Sequence, residues 1–552
     1  MLPKIKFFSL FIFTIIFMSG ISFIVYPQKV KYAPAWELLK QHNTPQWLKD
    51  AKFGIYTHWG IYCYSATRGN ATWNSHAAYM DPESEEAQDF YQKYGQVTTE
   101  FGYKDLIPKF AAEKFNAEEW ADLFAKSGAK FAGPVAEHHD GFAMWDTKYS
   151  DWNAAQMGPK RDIVGELEKA IKAKGMKYVT AFHHAANWFF FPTWDKTKDC
   201  SNPAYSGLYG PVHEEDAVPT KEFLDEWYGK LIEVVDKYDP DFVWFDFALD
   251  IIREDYVKNF VAYYYNTAEE RGKEVVISYK HHDLPPGVGL FDLELGQEAE
   301  LTHYDWITDT SIDDQGAWGY IPNLNYKPVN RLVDNLVDRV SKNGYLLLNI
   351  GPKWDGTIPE GAKKGLLGIG EWLNVNGEAI YGTTSWVKSG EGPTHVEIGE
   401  DGDMMFNEAD LKYTPQDIRF TVKGDVLYAT VLEWPGEEVL IRSLVPFEED
   451  GEDEEAEENE SENGNEDEDM EENEAENEEE DEEGEGDEDE DEEIEEWDGY
   501  YIYPGEIKSI TMLGDGQELK WELVRGKGLK IKTPKKKPCE HAFVFKIIRQ
   551  YN

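Results

Sequence analysis

The sequence predicts an α/β protein: a parallel (β/α)8-like TIM barrel followed by an antiparallel β-sandwich. From about residue 32 to residue 382, short apolar runs alternate with amphipathic helical stretches, which indicates βα units and a parallel sheet. After Gly382 the helical stretches stop, and short alternating segments separated by turn residues begin, which is typical of a small β-sandwich. A chain of 552 residues is long enough to form both domains.

Six strands can be placed in the barrel region, predicted as residues 31–382. Each is a short, mostly apolar run: Phe53–His58, Phe131–Ala136, Tyr178–Phe182, Phe242–Asp246, Val275–Ser278 and Tyr345–Asn349. Six helices have apolar residues at helical spacing: Glu118–Ser127, Asp162–Ala173, Lys221–Lys237, Asp255–Arg271, Pro328–Lys342 and Pro359–Asn374. A region of about 350 residues with six recognisable strands fits an eight-stranded barrel better than an open sheet, with two strands left unplaced.

The second region, residues 383–552, is predicted as the β-sandwich. Its strand candidates alternate apolar and polar residues: Ile418–Lys423, Val426–Leu432, Val439–Leu444, Ile507–Met512, Leu529–Lys532 and Ala542–Ile547. Residues 448–498 interrupt it with 36 acidic residues and no Lys or Arg. Such a segment cannot bury enough apolar surface to offset its ordering entropy, so we expect an acidic disordered insertion.

Charge and cysteine content exclude several classes of function. The formal net charge is −53, and outside the insertion 71 acidic residues still outnumber 54 basic ones, so the chain lacks the basic surface that nucleic-acid binding requires. The three cysteines, Cys63, Cys200 and Cys539, have no CxxC spacing. This argues against a cysteine-based zinc site and a disulfide framework, although one bridge stays possible.

The N-terminus, residues 1–30, is predicted to be a targeting segment. Lys4 and Lys6 precede an uncharged, mainly apolar run from Phe7 to Tyr26, which is about as long as a membrane-spanning helix. A cleaved signal peptide and a retained signal-anchor both fit this pattern. Either one predicts export: a secreted, periplasmic or outward-facing anchored protein, with membrane contact only through that anchor. The oligomeric state is left open.

Polar residues follow successive strands of the predicted barrel. Asp246 ends the apolar run Phe242–Phe245, where it could be either a catalytic acid or a simple turn residue. Other strands are followed by His58, by His138 and His139, by His183 and His184, and by Lys280. Because the carboxyl ends of all barrel strands meet on one face, we expect these side chains to converge in a single site.

The histidines also raise the question of a metal site. Zinc requires three or four ligands in a tetrahedral arrangement, but His138 and His139 are adjacent, and their side chains should diverge on an extended segment. No HExxH motif is present. The 19 tryptophans and the 14% aromatic content favour sugar recognition instead. We therefore expect neutral histidines that bind sugar hydroxyls, with no metal and no organic cofactor.

Several sequence blocks together resemble those of a known enzyme family. They are HWGIY, EHHDGFAMWDTKYSDWN with MGPKRDIVGEL, DPDFVWFD, WITDTSI, and SKNGYLLLNIGPKWDGTIPE with GEWLNVNGEAIYGT. Between about Trp47 and Trp386 the chain is similar to glycoside hydrolase family 29, the retaining α-L-fucosidases. The resemblance implies a catalytic barrel with a C-terminal β-sandwich. It also implies exo-hydrolysis of terminal α-L-fucosyl residues from glycans or polysaccharides by double displacement.

The resemblance also implies roles for individual residues. Asp246 matches the family nucleophile. The residues implied to bind the substrate are His58, Trp73, His138, His139, His183 or His184, Trp244 and Lys280. The segment from Asp292 to Gly296 resembles one that carries the acid/base in some members, which makes Glu294 the candidate. Glu298 and Glu300 are close rivals, Asp250 and Glu254 are remoter ones, and Glu294 could instead be a surface charge.

The chain departs from the family pattern at three places: Thr72, Glu137 and the segment 343–345. These departures keep two alternatives open. One is a catalytically degenerate barrel that only binds carbohydrate, and the other is a retaining glycosidase for a related sugar such as an α-L-galactoside. The aromatic run Trp188–Phe191 is equally open, because it could grip a polymeric glycan at the rim or could be part of the core.

Overall fold

The computed structural model describes residues 32–396, 411–447 and 499–551. The predicted targeting segment, 1–30, and the predicted acidic insertion, 448–498, lie outside the described residues. Within the three described ranges, no helix is both long enough and apolar enough to cross a membrane.

Eight parallel strands form a closed barrel, as predicted. They are β1 (Phe53–Thr57), β2 (Phe131–Glu137), β3 (Lys177–Phe182), β4 (Phe242–Phe245), β5 (Val276–Tyr279), β6 (Leu290–Asp292), β7 (Trp306–Ser311) and β8 (Gly344–Ile350). The barrel closes where β8 pairs with β1, with Ile55 beside Leu348. All six predicted strands are present, with each end within one residue of the prediction.

The two unplaced strands are β6 and β7. β6 has only three residues, which is too short to show a pattern. β7 is fully buried although it contains Thr308, Asp309 and Thr310. Asp309 points into the barrel, where it meets Tyr56, while Thr308 and Thr310 point to the other face and bond the carbonyl of Gly296 and Lys327 Nζ. A buried strand with this composition does not look like an apolar run, so the sequence pattern missed it.

Six long helices correspond to the six predicted ones: α6, α7 and α10–α13. The full set is α1 (Trp36–Leu39), α2 (Gln46–Ala51), α3 (Tyr62–Ser65), α4 (Asn74–Met80), α5 (Glu85–Tyr94), α6 (Ala117–Lys126), α7 (Ile163–Ala173), α8 (Asn187–Phe190), α9 (Ser206–Tyr209), α10 (Lys221–Tyr238), α11 (Glu254–Arg271), α12 (Val329–Ser341) and α13 (Glu360–Asn376). Side chains of Asn116, Asp162 and Thr220 accept backbone N–H groups and so fix the starts of α6, α7 and α10.

The barrel is irregular on one side. Loops without an α-helix connect β5 to β6, residues 280–289, and β6 to β7, residues 293–305. In a regular barrel each strand is followed by a helix. The missing helices leave these two loops free to build the rim at the carboxyl ends of β5 and β6.

The C-terminal domain is an antiparallel sandwich around its own apolar core. Its strands are β9 (Thr384–Glu391), β10 (Ile418–Lys423), β11 (Val426–Val431), β12 (Glu438–Ile441), β13 (Leu444–Pro446), β14 (Tyr500–Ile502), β15 (Ile507–Met512), β16 (Trp521–Val524), β17 (Gly528–Lys532) and β18 (Phe543–Arg549). One sheet has the order β15-β18-β11-β10-β9, and the facing sheet has the order β12-β17-β16. The short pair β13–β14 runs parallel and brings together the two ends of the acidic insertion.

The predicted strand Val439–Leu444 is wrong as a single element. The chain leaves the three-stranded sheet after Ile441 and pairs with β14 from Leu444 onward. Three other strands, β9, β14 and β16, were not predicted. Most of their residues are exposed or half-buried, so they have no regular apolar alternation to recognise.

Burial settles two points that the sequence left open. Trp188, Phe190 and Phe191 are buried in the barrel core, so this aromatic run is packing and not a glycan grip at the rim. The three cysteines are free thiols, so the possible disulfide is not formed.

A buried ion pair joins the two domains. Asp338 on α12 accepts hydrogen bonds from Lys342 Nζ at 2.9 Å and from Arg419 Nε on β10. Burial alone would raise the pKa of Asp338, but the two cations outweigh it and hold that pKa well below its usual range. The carboxylate therefore stays charged and ties the sandwich to the barrel.

We predict that Arg419→Met lowers the melting temperature by several degrees. Removing one partner leaves a buried carboxylate only partly compensated, which costs about 3 kcal/mol. Scanning calorimetry of Arg419→Met beside Arg442→Met, an exposed arginine of the same domain, measures the difference. Equal melting temperatures for the two variants would contradict a role for this ion pair in stability.

Candidate active site

The strand ends of the barrel converge on one cavity, as the sequence predicted. Eight of the residues predicted for the site line it: His58, Trp73, His138, His139, His183, Asp246, Lys280 and Glu294. They come from the ends of β1 to β6 and from the segment before α4. A cavity at the carboxyl end of the strands is where barrel enzymes carry their active sites.

Asp246 follows β4 directly, and its backbone N–H donates to the carbonyl of Phe182 at 3.1 Å. Its side chain accepts from Lys280 Nζ at 2.9 Å on Oδ1, and His139 Nε2 lies 3.2 Å from Oδ2. Burial alone would raise the pKa of Asp246, but Lys280 and His139 outweigh it and keep that pKa well below its usual range. The carboxylate is therefore ionised in the free protein.

Lys280 connects Asp246 to the second carboxyl group. Its Nζ also donates to Glu294 Oε2 at 2.6 Å. Because both oxygens lie on one nitrogen, at 2.9 and 2.6 Å, they can be no more than 5.5 Å apart, the sum of the two distances. Carboxyl groups of retaining glycosidases lie about 5–5.5 Å apart and those of inverting enzymes lie about 6.5–9.5 Å apart, so this upper limit is compatible with double displacement and not with inversion.

Lys280 itself is buried and stays charged. Burial would lower its pKa, but the carboxylates of Asp246 and Asp309 outweigh this effect, and the pKa lies well above its ordinary value. Asp309 Oδ2 is 3.5 Å from Lys280 Nζ. The Lys280 ammonium group also lies 4.7 Å from the ring centroid of Trp244.

The rival acids do not reach the cavity. Glu298 accepts a hydrogen bond from Tyr304 OH, Glu300 is exposed, and neither lines the site. Asp250 is exposed on a short helical turn, and Glu254 accepts from Trp36 Nε1 at the surface. Among the acids proposed from the sequence as partners of Asp246, Glu294 alone lies within hydrogen-bond distance of Lys280.

Asn349, in the LLLNIGP block, fixes the orientation of His58. Asn349 Nδ2 donates to Ser311 Oγ at 3.0 Å and to the carbonyl of Trp318 at 2.7 Å. Its Oδ1 must therefore be the acceptor of the His58 N–H, at 3.0 Å, and of His58 Nδ1, at 2.9 Å. This assigns the proton to Nδ1, so Nε2 carries a lone pair. Burial lowers the pKa of His58 to about 3, which keeps the ring neutral.

The two adjacent histidines do not diverge, so that expectation is wrong. The chain leaves β2 at Glu137 and turns at once, which brings the rings of His138 and His139 to 4.3 Å between centroids, with both in the cavity wall. His139 Nδ1 bonds the carbonyl of His183 at 2.8 Å, while its Nε2 faces Asp246. His139 therefore links the end of β3 to the carboxylate of Asp246.

Two predicted substrate-binding residues are not in the cavity wall. Trp244 is fully buried inside the barrel, where its Nε1 donates to Asp292 and its ring lies beneath His183 and Lys280. His184 points to the opposite side of the chain from His183 and stacks on Trp227. Trp244 lies on the same face of β4 as Asp246 but two residues deeper in the barrel, and His184 begins a short 3-10 turn that carries its ring away from the cavity.

Five residues in the cavity wall were not among the predicted site residues, although Thr72 was noted as a departure from the family pattern. They are Asn70, Thr72, Phe247, Asp309 and Trp318. Phe247 follows Asp246 directly, and Asp309 lies in the WITDTSI block, so both had a signal in the sequence. Trp318 had no such signal, because it lies in a loop after β7. Its backbone has a positive φ of 55°, and its ring lies beside that of His58.

Asp309 forms a buried carboxyl pair with Asp292 beneath Lys280. The Asp309 N–H donates to Asp292 Oδ1 at 3.0 Å, and Tyr56 OH donates to Asp309 Oδ2 at 2.7 Å. Burial raises the pKa of Asp309 to about 6, against the lowering effect of Lys280, and raises that of Asp292 well above its usual range. The pair therefore does not add two full negative charges to the floor of the site.

Comparison with known proteins agrees with this geometry. The family model described as alpha-L-fucosidase matches residues 23–378, and the model of the alpha-L-fucosidase C-terminal domain matches residues 412–548. Tissue alpha-L-fucosidase of Rattus norvegicus is 29% identical over 425 residues, which cover 74% of this chain and 80% of that protein.

Further matches extend over the same length. Tissue alpha-L-fucosidase of Homo sapiens is 30% identical over 426 residues, covering 74% of this chain and 80% of that protein. The crystal structure of Thermotoga maritima alpha-fucosidase in complex with fucose superposes with a TM-score of 0.67 at 29% identity, covering 94% of this chain and 100% of that one. The chain therefore belongs to the alpha-L-fucosidase family, glycoside hydrolase family 29.

Proposed function

We propose that this α-L-fucosidase removes terminal α-L-fucosyl residues from glycans with Asp246 as the nucleophile and Glu294 as the acid/base. The observation that carries the assignment is the single lysine that donates to both carboxyl groups. The bonded oxygens of Asp246 and Glu294 are at most 5.5 Å apart, which fits the retaining mechanism of the family. An inverting enzyme needs a wider gap that holds a water between the two carboxyl groups.

In the first step Asp246 attacks the anomeric carbon while the glycosidic bond breaks. Glu294 gives its proton to the departing oxygen, and a fucosyl ester of Asp246 forms. Glu294 has about a third of its side chain exposed, so it lies at the open side of the cavity, where the leaving group departs. In the second step Glu294 takes a proton from water, the water oxygen attacks the same carbon, and Asp246 is released.

Lys280 serves both steps from one position. Before the first step the negative charge lies on Asp246, and after it the charge lies on Glu294, because Asp246 has become a neutral ester. Lys280 Nζ is within hydrogen-bond distance of both groups, at 2.9 and 2.6 Å. A fixed cation between them therefore stabilises the charge wherever it resides, with no reorganisation of the protein.

The rest of the cavity fits a monosaccharide with polar and apolar faces. The Nε2 lone pair of His58 accepts from a sugar hydroxyl, and His138 and His183 offer further ring nitrogens. Trp73 and Phe247 lie parallel, 6.3 Å between ring centroids, and supply an aromatic wall for the 6-methyl group. An α-L-galactoside differs by one hydroxyl at that carbon, so the aromatic wall favours fucose.

The reading as a degenerate, binding-only barrel finds little support. Glu137 turns away from the cavity and pairs with Lys230 at 2.7 Å. Tyr345 donates to Asp305 at the opposite end of the barrel strands. Thr72 lines the cavity and bonds to Asn70, where it leaves the two carboxyl groups undisturbed. The departures from the family pattern therefore do not remove a catalytic part.

We further propose that the chain is exported. The support is the uncharged, mainly apolar run from Phe7 to Tyr26 behind Lys4 and Lys6. Expression of the full chain, followed by immunoblotting of cell and medium fractions, tests this. Full-length product confined to the cytosol would overturn it.

The roles of the two acids predict opposite stereochemistry in azide rescue. Asp246→Gly loses at least about 10⁴-fold in kcat on an aryl α-L-fucoside, and azide then fills the space of the carboxylate and gives the β-fucosyl azide. Glu294→Ala loses about 10²–10³-fold, and azide attacks the ester of Asp246 to give the α-fucosyl azide. Proton NMR of the products distinguishes the two anomers.

Glu298→Ala and Glu300→Ala are matched controls that remove neighbouring acids of the same loop. We expect both to retain near wild-type turnover and to give no azide product. The assignment of Glu294 fails if either of these variants, and not Glu294→Ala, yields the α-azide.

The contact between Lys280 and Asp246 predicts how kcat/KM depends on pH. In Lys280→Met the cation that depresses the Asp246 pKa is gone, so this pKa rises and the acid limb of the kcat/KM profile moves to higher pH. Lys280→Arg keeps a charge and should move the limb much less. A profile whose acid limb is the same in Lys280→Met and in the wild type would contradict the role of Lys280.

The hydrogen bond between Asn349 and His58 predicts that loss of the Asn349 side chain weakens sugar binding. Asn349→Ala removes the acceptor of His58 Nδ1 and leaves the His58 N–H with the carbonyl of Ile350 alone, so the ring loses its fixed orientation and we expect L-fucose to bind about tenfold more weakly. Ser311→Ala removes one hydrogen bond of Asn349 without touching His58, and its effect should be smaller. Calorimetric titration with L-fucose compares the variants. Equal affinities for Asn349→Ala and the wild type would disprove the positioning role.

A further inference from the structure

Three histidines of the cavity form a compact cluster of nitrogen ligands. His58, His138 and His183 come from the ends of β1, β2 and β3, and one ring nitrogen of each lies within 4.8 Å of the other two. His58 Nε2 and His183 Nε2 are 3.1 Å apart. All three side chains are at most 3% exposed. Three convergent imidazoles with an open position match the ligand set of catalytic-type zinc sites.

The distances fit a divalent transition metal. Zinc binds histidine nitrogen at about 2.0–2.1 Å, so ligand nitrogens on one tetrahedral ion lie roughly 3.4 Å apart. His58 Nε2 and His183 Nε2, which share a hydrogen bond, are spaced close to that value at 3.1 Å, and a ring nitrogen of His138 lies within 4.8 Å of the ligand nitrogens of both. Asn349 fixes the tautomer of His58 so that the lone pair of Nε2 points into the cluster, as an outer-shell partner of a metal ligand does.

A second observation points to a ligand at the same place. Nδ1 of His138 is buried and has no hydrogen-bond partner among the described residues. Buried ring nitrogens are normally satisfied, and leaving one without a partner costs free energy. Asp246 Oδ2 lies 3.8 Å from His183 Nε2, so a carboxylate is also available to offset the charge of a cation.

We propose that His58, His138 and His183 bind a divalent transition cation of the Zn²⁺ or Cu²⁺ type, and that this cation excludes the sugar from the cavity. The nitrogens that would hold the metal are those that face the sugar hydroxyls. The metal is thus a competitor of the substrate and not a cofactor. Binding of the metal stands on the cluster geometry alone, while its effect on turnover rests on the proposed function.

The binding test uses Co²⁺ as a spectroscopic probe of the full-length chain. Co²⁺ in a tetrahedral or five-coordinate histidine site absorbs visible light strongly, whereas Co²⁺ on surface carboxylates is octahedral and absorbs weakly. The acidic insertion, residues 448–498, is expected to bind cations through carboxylates only, so the two classes separate by intensity. We expect one strongly absorbing Co²⁺ per chain, displaced by Zn²⁺ and not by Ca²⁺.

Variants locate the site. His138→Asn and His183→Asn should each lose the strong absorption, while His184→Asn and His303→Asn, histidines outside the cluster, should keep it. Circular dichroism and melting temperature show that each variant is folded. Weak absorption in the wild type, or strong absorption retained in both His138→Asn and His183→Asn, would overturn the proposal.

A competition test shows whether the metal and the sugar exclude each other from the cavity. L-fucose should abolish the Co²⁺ absorption, and Zn²⁺ at ten times its dissociation constant should raise KM about tenfold with kcat unchanged. Calorimetry first establishes that L-fucose binds the metal-free chain, which separates a failure of the proposed function from a failure of this inference. Simultaneous binding of L-fucose and Co²⁺, or a purely kcat effect of Zn²⁺, would show that the cation does not occupy the sugar cavity.

Discussion

The buried ammonium group of Lys280 is the interaction on which the catalytic site depends. It lies at the end of β5 between an acid from β4 and an acid from the loop after β6, at 2.9 Å from Asp246 and 2.6 Å from Glu294. A buried charge is tolerated only when it is well paired. The two acids that pair with Lys280 are also the two acids of the proposed reaction. Because the lysine contacts both carboxyl groups, it holds them close together, and in the proposed double displacement it stays close to the negative charge in each step.

The irregular barrel explains how this pairing is possible. No helix follows β5 or β6, so the loops that carry Lys280 and Glu294 lie against the cavity and not over an outer helix. The floor under the lysine is closed by Trp244 and by the carboxyl pair Asp292–Asp309, whose burial favours protonation. On the other side of the cavity, Asn349 fixes the orientation of His58 through a hydrogen bond to His58 Nδ1. The barrel therefore supplies two supports, one for the charged groups and one for the imidazoles that we propose bind the sugar.

Much of this could be predicted from the sequence, and the failures have physical causes. Strands that are apolar on both faces, such as β4, and the acid that ends one of them are visible in the residue pattern. β7 was missed because its buried residues are polar, which happens where a strand passes through an active site. Trp244 and His184 were misplaced because a motif gives the neighbourhood of a residue but not its depth in the barrel or the side to which it points. The turn after Glu137 brings His138 and His139 to the same wall, and only three-dimensional structure shows it.

The proposed mechanism requires that Asp246 forms a covalent bond with the sugar. A 2-deoxy-2-fluoro-fucosyl fluoride slows both steps, the second more than the first, so the ester accumulates and can be located by peptide mass spectrometry. We expect one label per chain on the peptide that contains Asp246, and we expect L-fucose to protect against labelling. A label on Glu294, or on any other residue, would contradict this mechanism.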